Sequence, residues 1–445
     1  MIQKGDKKII RGWVMYDWAN SVYNLVISSS IFPIFYEAQT RMVYAEENQL
    51  NPDKIDPNLV TVDFFGMHVS PSVLYSLTLS FSFVLVTFLS PLLSGIADYT
   101  GSKKKFLRFF CYMGSISAMS LFFFDAHRIE LGLISVLLAS IGYWNSLVFY
   151  NAFLPEIAEP KDQDKVSARG FIMGYLGSML LLLICLGIIM GIDKSYTRIS
   201  FLLVGLWWIG FSQYTYRVLP NNVYNKTPEP GYIWRGFREL KVVFQEFRKT
   251  NRLKKYLRSF FFFNTGVQTV MLMATVFAAK AIDWPGESGK SGLIIAVLLI
   301  QLLGAIGAKI MSMIAVKLEN IKALMISVGI WVIICCCAFF IHKPTEFYFL
   351  AASVGLVMGG VQAVARSTYS KFLPETTDHA SYFSFYDATE KIGIVFGTAF
   401  FALTEYFFQD IRYSIFSVGA FFVMGFIFLF FVPKEENSNL HLEKH

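Results

Sequence analysis

Long apolar runs alternate with short polar ones along the chain, and the apolar runs are of membrane-crossing length. About 20 apolar residues cross a bilayer. Twelve such stretches stand out, at 13–37, 71–97, 106–124, 129–153, 169–191, 198–218, 255–282, 291–316, 321–341, 347–370, 382–405 and 412–432. Backbone N–H and C=O groups in hydrocarbon must pair within their own segment, so each run predicts a helix. The one long polar break, Arg217 to Arg258, carries eleven Lys/Arg and divides the spans six and six. Within it Ile233, Phe237, Leu240, Phe244 and Phe247 recur at steps of four and three, which is one face of a helix. Arg235, Arg238, Lys241, Arg248 and Lys249 fall mostly elsewhere, and Pro228 and Pro230 stand where such a helix would begin. The expected organisation is a six-helix bundle over 1–218, a cytoplasmic linker over 219–254 with an amphipathic helix on the membrane surface, and a second six-helix bundle with a short cytoplasmic tail over 255–445.

The two halves resemble each other. Phe153-Leu154-Pro155-Glu156 recurs as Phe372-Leu373-Pro374-Glu375, 219 positions later, and Gly174 and Gly393 follow the two phenylalanines at one spacing. Ser94-Gly95-Ile96-Ala97 has a weaker echo in Ser312-Met313-Ile314-Ala315. Landmarks at nearly one offset indicate a duplicated half, the usual construction of a membrane transporter.

Composition agrees with a lipid-solvated chain. Only 16% of residues are charged, against about a quarter in soluble domains. The net charge of +7 belongs to loops rather than to nucleic-acid binding. With the N-terminus in the cytoplasm, the inner loops and flanks hold 28 Lys/Arg and the outer ones 9, which places both termini inside. The first run is kept as a span, with no cleavable leader before it. Cys111, Cys185 and the run Cys335-Cys336-Cys337 lie within apolar segments with no metal-ligand spacing, and they read as packing residues. The outer loop from Ala38 to Ser70 reads as a solvated connector; a substrate-screening lid is the alternative.

Gly95-Ile96-Ala97-Asp98-Tyr99-Thr100-Gly101-Ser102-Lys103-Lys104-Lys105 occupies the inner turn between spans two and three. Gly95 permits close helix approach, Gly101 a tight turn, and Asp98 can cap a neighbouring helix or pair with a base. The segment resembles the loop signature of the major facilitator superfamily, Gly-x-x-x-Asp-x-x-Gly-x-Lys/Arg-Lys/Arg. That resemblance implies an all-α membrane protein of major facilitator fold, twelve helices in two pseudo-symmetric six-helix bundles. It implies for Gly95, Asp98, Gly101, Lys103 and Lys104 a latch between inward-open and outward-open states. In the second half Val316 and Glu319 stand where Asp98 and Gly101 would map.

Tyr16-Asp17-Trp18-Ala19-Asn20-Ser21, Asn151-Ala152-Phe153-Leu154-Pro155-Glu156-Ile157-Ala158, Ser167-Ala168-Arg169-Gly170, Asn264-Thr265-Gly266-Val267-Gln268-Thr269 and Gly359-Gly360-Val361-Gln362-Ala363 resemble the "unknown major facilitator" family, nearly end to end. That family includes the fungal vacuolar autophagy-related amino-acid effluxer. An acid often follows the asparagine of the seventh span there, where this chain has Thr265, so a proton role for that acid does not carry over.

Polar residues inside apolar spans are expensive unless paired or solvated. Asp17, Asn20 and Asn24 share a face of the first span; Asn264 and Gln268 are an i,i+4 pair in the seventh, and Gln362 and Arg366 in the tenth. Tyr143, Trp144, Asn145 and Ser146 give the fourth an amphipathic centre. Spans one, four, seven and ten line the central cavity in the superfamily, so these are the expected substrate-cavity residues, with ordinary helix–helix hydrogen bonds as the plain alternative. Asp17, Arg169, Arg366, Asp387, Glu390 and Lys391 are expected to include inner-gate ion pairs. Asp17 and Glu390 are the carboxylates available for proton coupling; no cofactor and no metal is implied.

The expected function is secondary transport of a small solute. No nucleotide-binding motif is present to drive a pump. The family resemblance makes an exported amino acid the first expectation, with sugars or other polar or amphipathic metabolites, or a non-transporting sensor on the same scaffold, as alternatives. No cluster of nucleophile and base supports a membrane enzyme. Compact length and short tails suggest the inner membrane of a bacterium, and the superfamily is commonly monomeric.

Overall fold

A computed structural model describes residues 4–52, 55–56, 59–221, 224, 226, 232–285 and 288–435. The chain is helical almost throughout. Helix α1 (Lys7–Val22) passes through a π-helical stretch, Tyr23–Ser30, into α2 (Ile31–Glu47) without a break. A small hairpin, β1 (Val62–Phe64) with β2 (Met67–Val69), follows. Then come α3 (Pro71–Thr100), α4 (Lys103–Ser120), α5 (Ile129–Asn151), the single turn α6 (Leu154–Ile157), α7 (Gln163–Gly191) and α8 (Ile199–Val218). Helix α9 (Tyr232–Lys249) precedes the second half: α10 (Asn251–Ala281), α11 (Ser288–Leu318), α12 (Asn320–Phe340), α13 (Pro344–Lys371), α14 (His379–Phe408) and α15 (Ile411–Phe430).

Among the described residues, ten helices are long and apolar enough to cross a membrane. The α1–α2 segment and α8 fall outside that set, yet α1 packs along α7 and α8 inside the first bundle. Large side chains such as Phe88, Phe123, Phe349 and Phe407 stand exposed on the outer faces, as lipid-facing helices require.

Several boundaries move. The first helix runs to Glu47 rather than ending near residue 37, so the outer connector is shorter, and it carries the hairpin. Phe65 and Gly66, both at positive φ, make its turn. Asp53 and Lys54 of that loop lie outside the described residues, as do Pro228, Pro230, the side chain of Ile233 and the tail from 436.

The duplicated halves meet along two matching seams, α3 against α14 and α11 against α7. The inner turn of each half ends its helix at a residue of positive φ, Gly101 (φ 65°, ψ 21°) in the first and Glu319 (φ 73°, ψ 151°) in the second. The sign of φ is common to both, but ψ is not, so the turn without the glycine takes a different path. Within the second bundle, α11 and α13 touch backbone to backbone. A Cβ on Gly359 would strike the Gly304 carbonyl, and one on Gly307 the Leu356 carbonyl. Small residues give membrane helices this closeness.

Helix α9 does more than lie flat beneath the bundles. A Cβ on Gly95 would meet the Gly236 carbonyl, so α9 is wedged against the end of α3. Phe244 and Phe247 pack on Phe385 of α14, at 5.9 and 5.6 Å between ring centres. Burial, and then the nearby Asp378, hold the Glu239 carboxyl above its ordinary range. One linker helix therefore bears on both halves.

Candidate functional site: a polar cavity closed at one end

A cavity of about 490 Å³ lies between the halves. It reaches the membrane end that carries the β1–β2 loop, where Glu37, Ser72 and Ser76 form its rim. Towards the end that carries the chain termini it is closed. The floor is Arg366 of α13 against Asp17 of α1, 3.2 Å apart and both buried. Arg366 reaches almost entirely into the other half. Its Nε donates to Ser167 Oγ (3.0 Å), and its Nη atoms donate to the Ser167 carbonyl (2.9 Å) and Asn151 Oδ1 (3.3 Å). Phe171 and Trp13 face the guanidinium at 4.2 and 4.9 Å. Tyr150 Oη donates to Asp17 Oδ2 at 2.7 Å, and its ring stacks on Trp13. Gly170 is small of necessity: a Cβ there would strike Asp17 Oδ2 and lie 2.8 Å from Arg366 Nη2. A charge at this depth survives because it is paired and the guanidinium is hydrogen-bonded at several of its nitrogens.

Two further tiers lie below. Asp164 of α7 accepts from Asn320 Nδ2 (2.7 Å), Ser367 Oγ (2.7 Å) and Lys371 Nζ (2.5 Å), all of the second half. On the opposite seam Asp98 accepts from the N–H groups of Ala380 (3.2 Å) and Ser381 (2.7 Å) and from Ser381 Oγ (2.8 Å). It thus caps the N-terminus of α14, where free N–H groups and the positive end of the helix dipole favour an anion. Lys103 pairs with Glu156, and His379 Nδ1 lies 3.0 Å from the same Glu156 oxygen. Replacing Asp98 by Asn removes the charge and turns an amide N–H₂ towards those donors. The closed end should lose about 1–2 kcal/mol. Counterflow should fall about tenfold with folded yield unchanged; unaltered flux would remove Asp98 from the cycle.

Of the expected cavity residues, Asp17, Asn24, Tyr143, Trp144, Asn264, Gln268, Gln362 and Arg366 line the space. Asn20 and Asn145 do not. Asn20 is buried beside Ser21, and Asn145 accepts from Ser90 Oγ of α3 (3.0 Å) while donating to the Ile141 carbonyl, a helix–helix contact. Asn20 lies in α1 whereas Asn24 lies inside the π-helical stretch that begins at Tyr23, so the regular α spacing does not hold between them.

The gate residues divide as well. Arg169 is exposed and makes no ion pair among the described residues; Ser167 and Gly170 occupy the seam in its place. Lys104 donates to the Leu219 carbonyl within its own half. Asp387, Glu390 and Lys391 are not at the inner end. Because α14 begins at His379, they sit about 12–18 Å along it. Asp387 and Glu390 line the cavity wall, and Glu390 accepts from Gln268 Nε2 at 2.7 Å. Thr265 packs against Gly393 of α14, and Glu390 of the same helix faces the cavity.

Sequence reasoning missed the Asp164–Asn320–Lys371 tier, the role of Glu156 and His379, and the fifth- and eighth-span contributions Tyr175 and Gln301. Glu156 and Lys371 flank or sit within the repeated Phe-Leu-Pro-Glu landmark, which was the available signal. Tyr175 Oη donates to Gln362 Oε1 at 2.8 Å, another bridge between halves.

The family model described as vacuole effluxer Atg22-like matches residues 5–439. The uncharacterized MFS-type transporter YxiO of Bacillus subtilis (strain 168) is 29% identical over 443 residues, covering 97% of this chain and 96% of its own. Autophagy-related protein 22 of Coccidioides immitis (strain RS) is 22% identical over 506 residues, covering 88% of this chain and 81% of its own. Among solved structures, the proton:xylose symporter XylE bound to 6-bromo-6-deoxy-D-glucose matches with a TM-score of 0.69 at 14% identity, covering 96% of this chain and 95% of that one. The human organic anion transporter MFSD10 matches with 0.67 at 11%, covering 96% and 100%. At such identities the structural likeness establishes the major facilitator fold alone. With the family model spanning nearly the whole chain, this integral membrane protein belongs to the Atg22-like family of major facilitator transporters.

Proposed function

We propose that the chain carries a small zwitterionic solute, an amino acid, across the membrane by alternating access, in the direction of export. The observation that carries this reading is the cavity itself. It holds the base Arg366 and the acids Asp17, Asp387 and Glu390 in one space contributed by both halves, and its floor is an ion pair between halves. A zwitterion needs both signs of charge within one site, and rocking needs a floor that can part. The resemblance of the sequence to the fungal vacuolar amino-acid effluxer favours an amino acid by analogy, and the family description, vacuole effluxer Atg22-like, favours efflux. The basic loops put the terminal end in the cytoplasm. We read α1–α2 and α8 as crossing too, which gives twelve spans, two bundles at 1–218 and 255–445, and a cavity open outwards in this state. A bacterial plasma membrane is the setting this implies. A sugar is the second reading, favoured by the amides of Asn24, Asn264, Gln268, Gln301 and Gln362 along the walls.

Solute counterflow in proteoliposomes tests this. Vesicles preloaded with single amino acids or sugars receive labelled solute outside, with Asp17→Asn run beside the wild type. Saturable exchange of an amino acid, lost in Asp17→Asn, is the expected result. Exchange of sugars alone would replace the substrate class, and no exchange of any solute by folded protein would reject the transport reading.

A further inference from the structure

The cavity wall contains an ammonium site that the chain already fills from within. Lys391 Nζ lies 3.5 Å from the centre of the Trp144 ring, 3.0 Å from Asp387 Oδ1 and 3.9 Å from Glu390 Oε1. The Lys391 side chain is fully buried, whereas Trp144, Asp387 and Glu390 border the cavity. The indole comes from α5 in the first half and the carboxylates from α14 in the second, so the cage exists only where the halves face each other.

Two carboxylates surround one ammonium. Asp387 Oδ2 is buried with no hydrogen bond among the described residues. Glu390 is held by Gln268 and by the longer contact to Lys391, and it is the more open of the two acids. An indole face and a carboxylate are the recognition set for an ammonium cation. The cage thus has the chemistry to take a second cation, and its open side is the cavity.

We propose that Trp144, Glu390 and Asp387 form the subsite for the ammonium group of the transported solute, and that Lys391 is its internal placeholder. With no solute present, Lys391 keeps two buried carboxylates from standing uncompensated. An entering primary amine takes the Glu390 and Trp144 positions, and Lys391 moves onto Asp387. A solute without an amine cannot displace it, so the cage selects for the amine. This deepens the amino-acid reading above. The test below measures binding without transport, so either reading can fail alone.

The probe is n-butylammonium, which reproduces the lysine side chain from Cβ outwards, with n-butanol as its neutral counterpart. The full chain in nanodiscs is titrated with each while its thermal unfolding midpoint is followed. In Lys391→Met the placeholder is gone, and n-butylammonium should reach half-maximal stabilisation at a concentration at least tenfold lower than in the wild type. Butanol should have no such effect, and adding Glu390→Gln to Lys391→Met should abolish the response. Equal responses in wild type and Lys391→Met, or equal action of butanol, would overturn the proposal. Should Lys391→Met not give monodisperse protein, Trp144→Leu decides, since it keeps both acids and the lysine. Loss of the wild-type response to n-butylammonium supports the cage, and a retained response overturns it.

Discussion

Arg366→Glu is expected to lower counterflow by between about two and four orders of magnitude while folded protein is still recovered. Breaking a buried ion pair costs about 3–5 kcal/mol, and each 1.4 kcal/mol is about a factor of ten in an equilibrium. Here the loss falls on one conformation. The partners of Arg366 on the cavity floor, Asp17, Asn151 and the two oxygens of Ser167, belong to the first half, so they are met only while the terminal end is closed. The variant also sets a second carboxylate against Asp17. The closed floor should therefore give way and the population move to the state open at the terminal end. A cysteine at Ser21, which faces the cavity, reports this in a background without other cysteines. In the wild type an impermeant maleimide should reach it from the loop side alone; in Arg366→Glu it should react from the terminal side. Combining Arg366→Glu with Asp17→Arg should recover part of the flux, because the charges are restored but the stacking of the guanidinium between Phe171 and Trp13 is not. Wild-type counterflow in the single variant would mean the pair is not part of the gate.

The second large effect is on folding. Gly359→Val puts a branched side chain where even a Cβ collides with the Gly304 carbonyl. A flexible neighbour could yield, but a backbone carbonyl inside a packed helix cannot. Helices α11 and α13 must separate, and the matched close approach of Gly307 to Leu356 and of Gly355 to Ile300 parts with them. Overpacking usually costs 1–3 kcal/mol, and more where backbone must move. About 3 kcal/mol or more is expected, visible as a lowered unfolding midpoint and a reduced monodisperse fraction, with Gly359→Ala intermediate. A midpoint unchanged by the valine would show that the two helices are not in backbone contact.

The architecture was legible because it is written in features that act locally. Twenty-residue apolar runs, a basic break at the middle and a repeated Phe-Leu-Pro-Glu need no knowledge of neighbours. Cavity-facing residues were legible where polar side chains recurred on one face of an apolar run, as with Asn264 and Gln268 or Gln362 and Arg366. Asn145 looked the same, but its partner, Ser90, is 55 residues away. No spacing rule connects them. The gate was misplaced for a related reason. Reading α14 from Tyr382 set Asp387 and Lys391 near its start, whereas Asp98, 283 residues before Ser381, caps a helix that begins earlier and carries those charges to the cavity wall. Asp164 and Lys371, 207 residues apart, form a tier of the floor that only the folded chain brings together.

The closed end also has a bearing on how the protein meets added salt. Ions in solution screen attractions between exposed charges that stand more than a Debye length apart, about 8 Å at physiological ionic strength and about 3 Å at 1 M. Arg366 and Asp17 are within a few per cent of full burial, and Lys103 and Glu156 are equally withdrawn. Mobile ions do not enter those contacts. Raising the salt concentration around the protein should therefore leave these ion pairs almost as strong as in dilute solution.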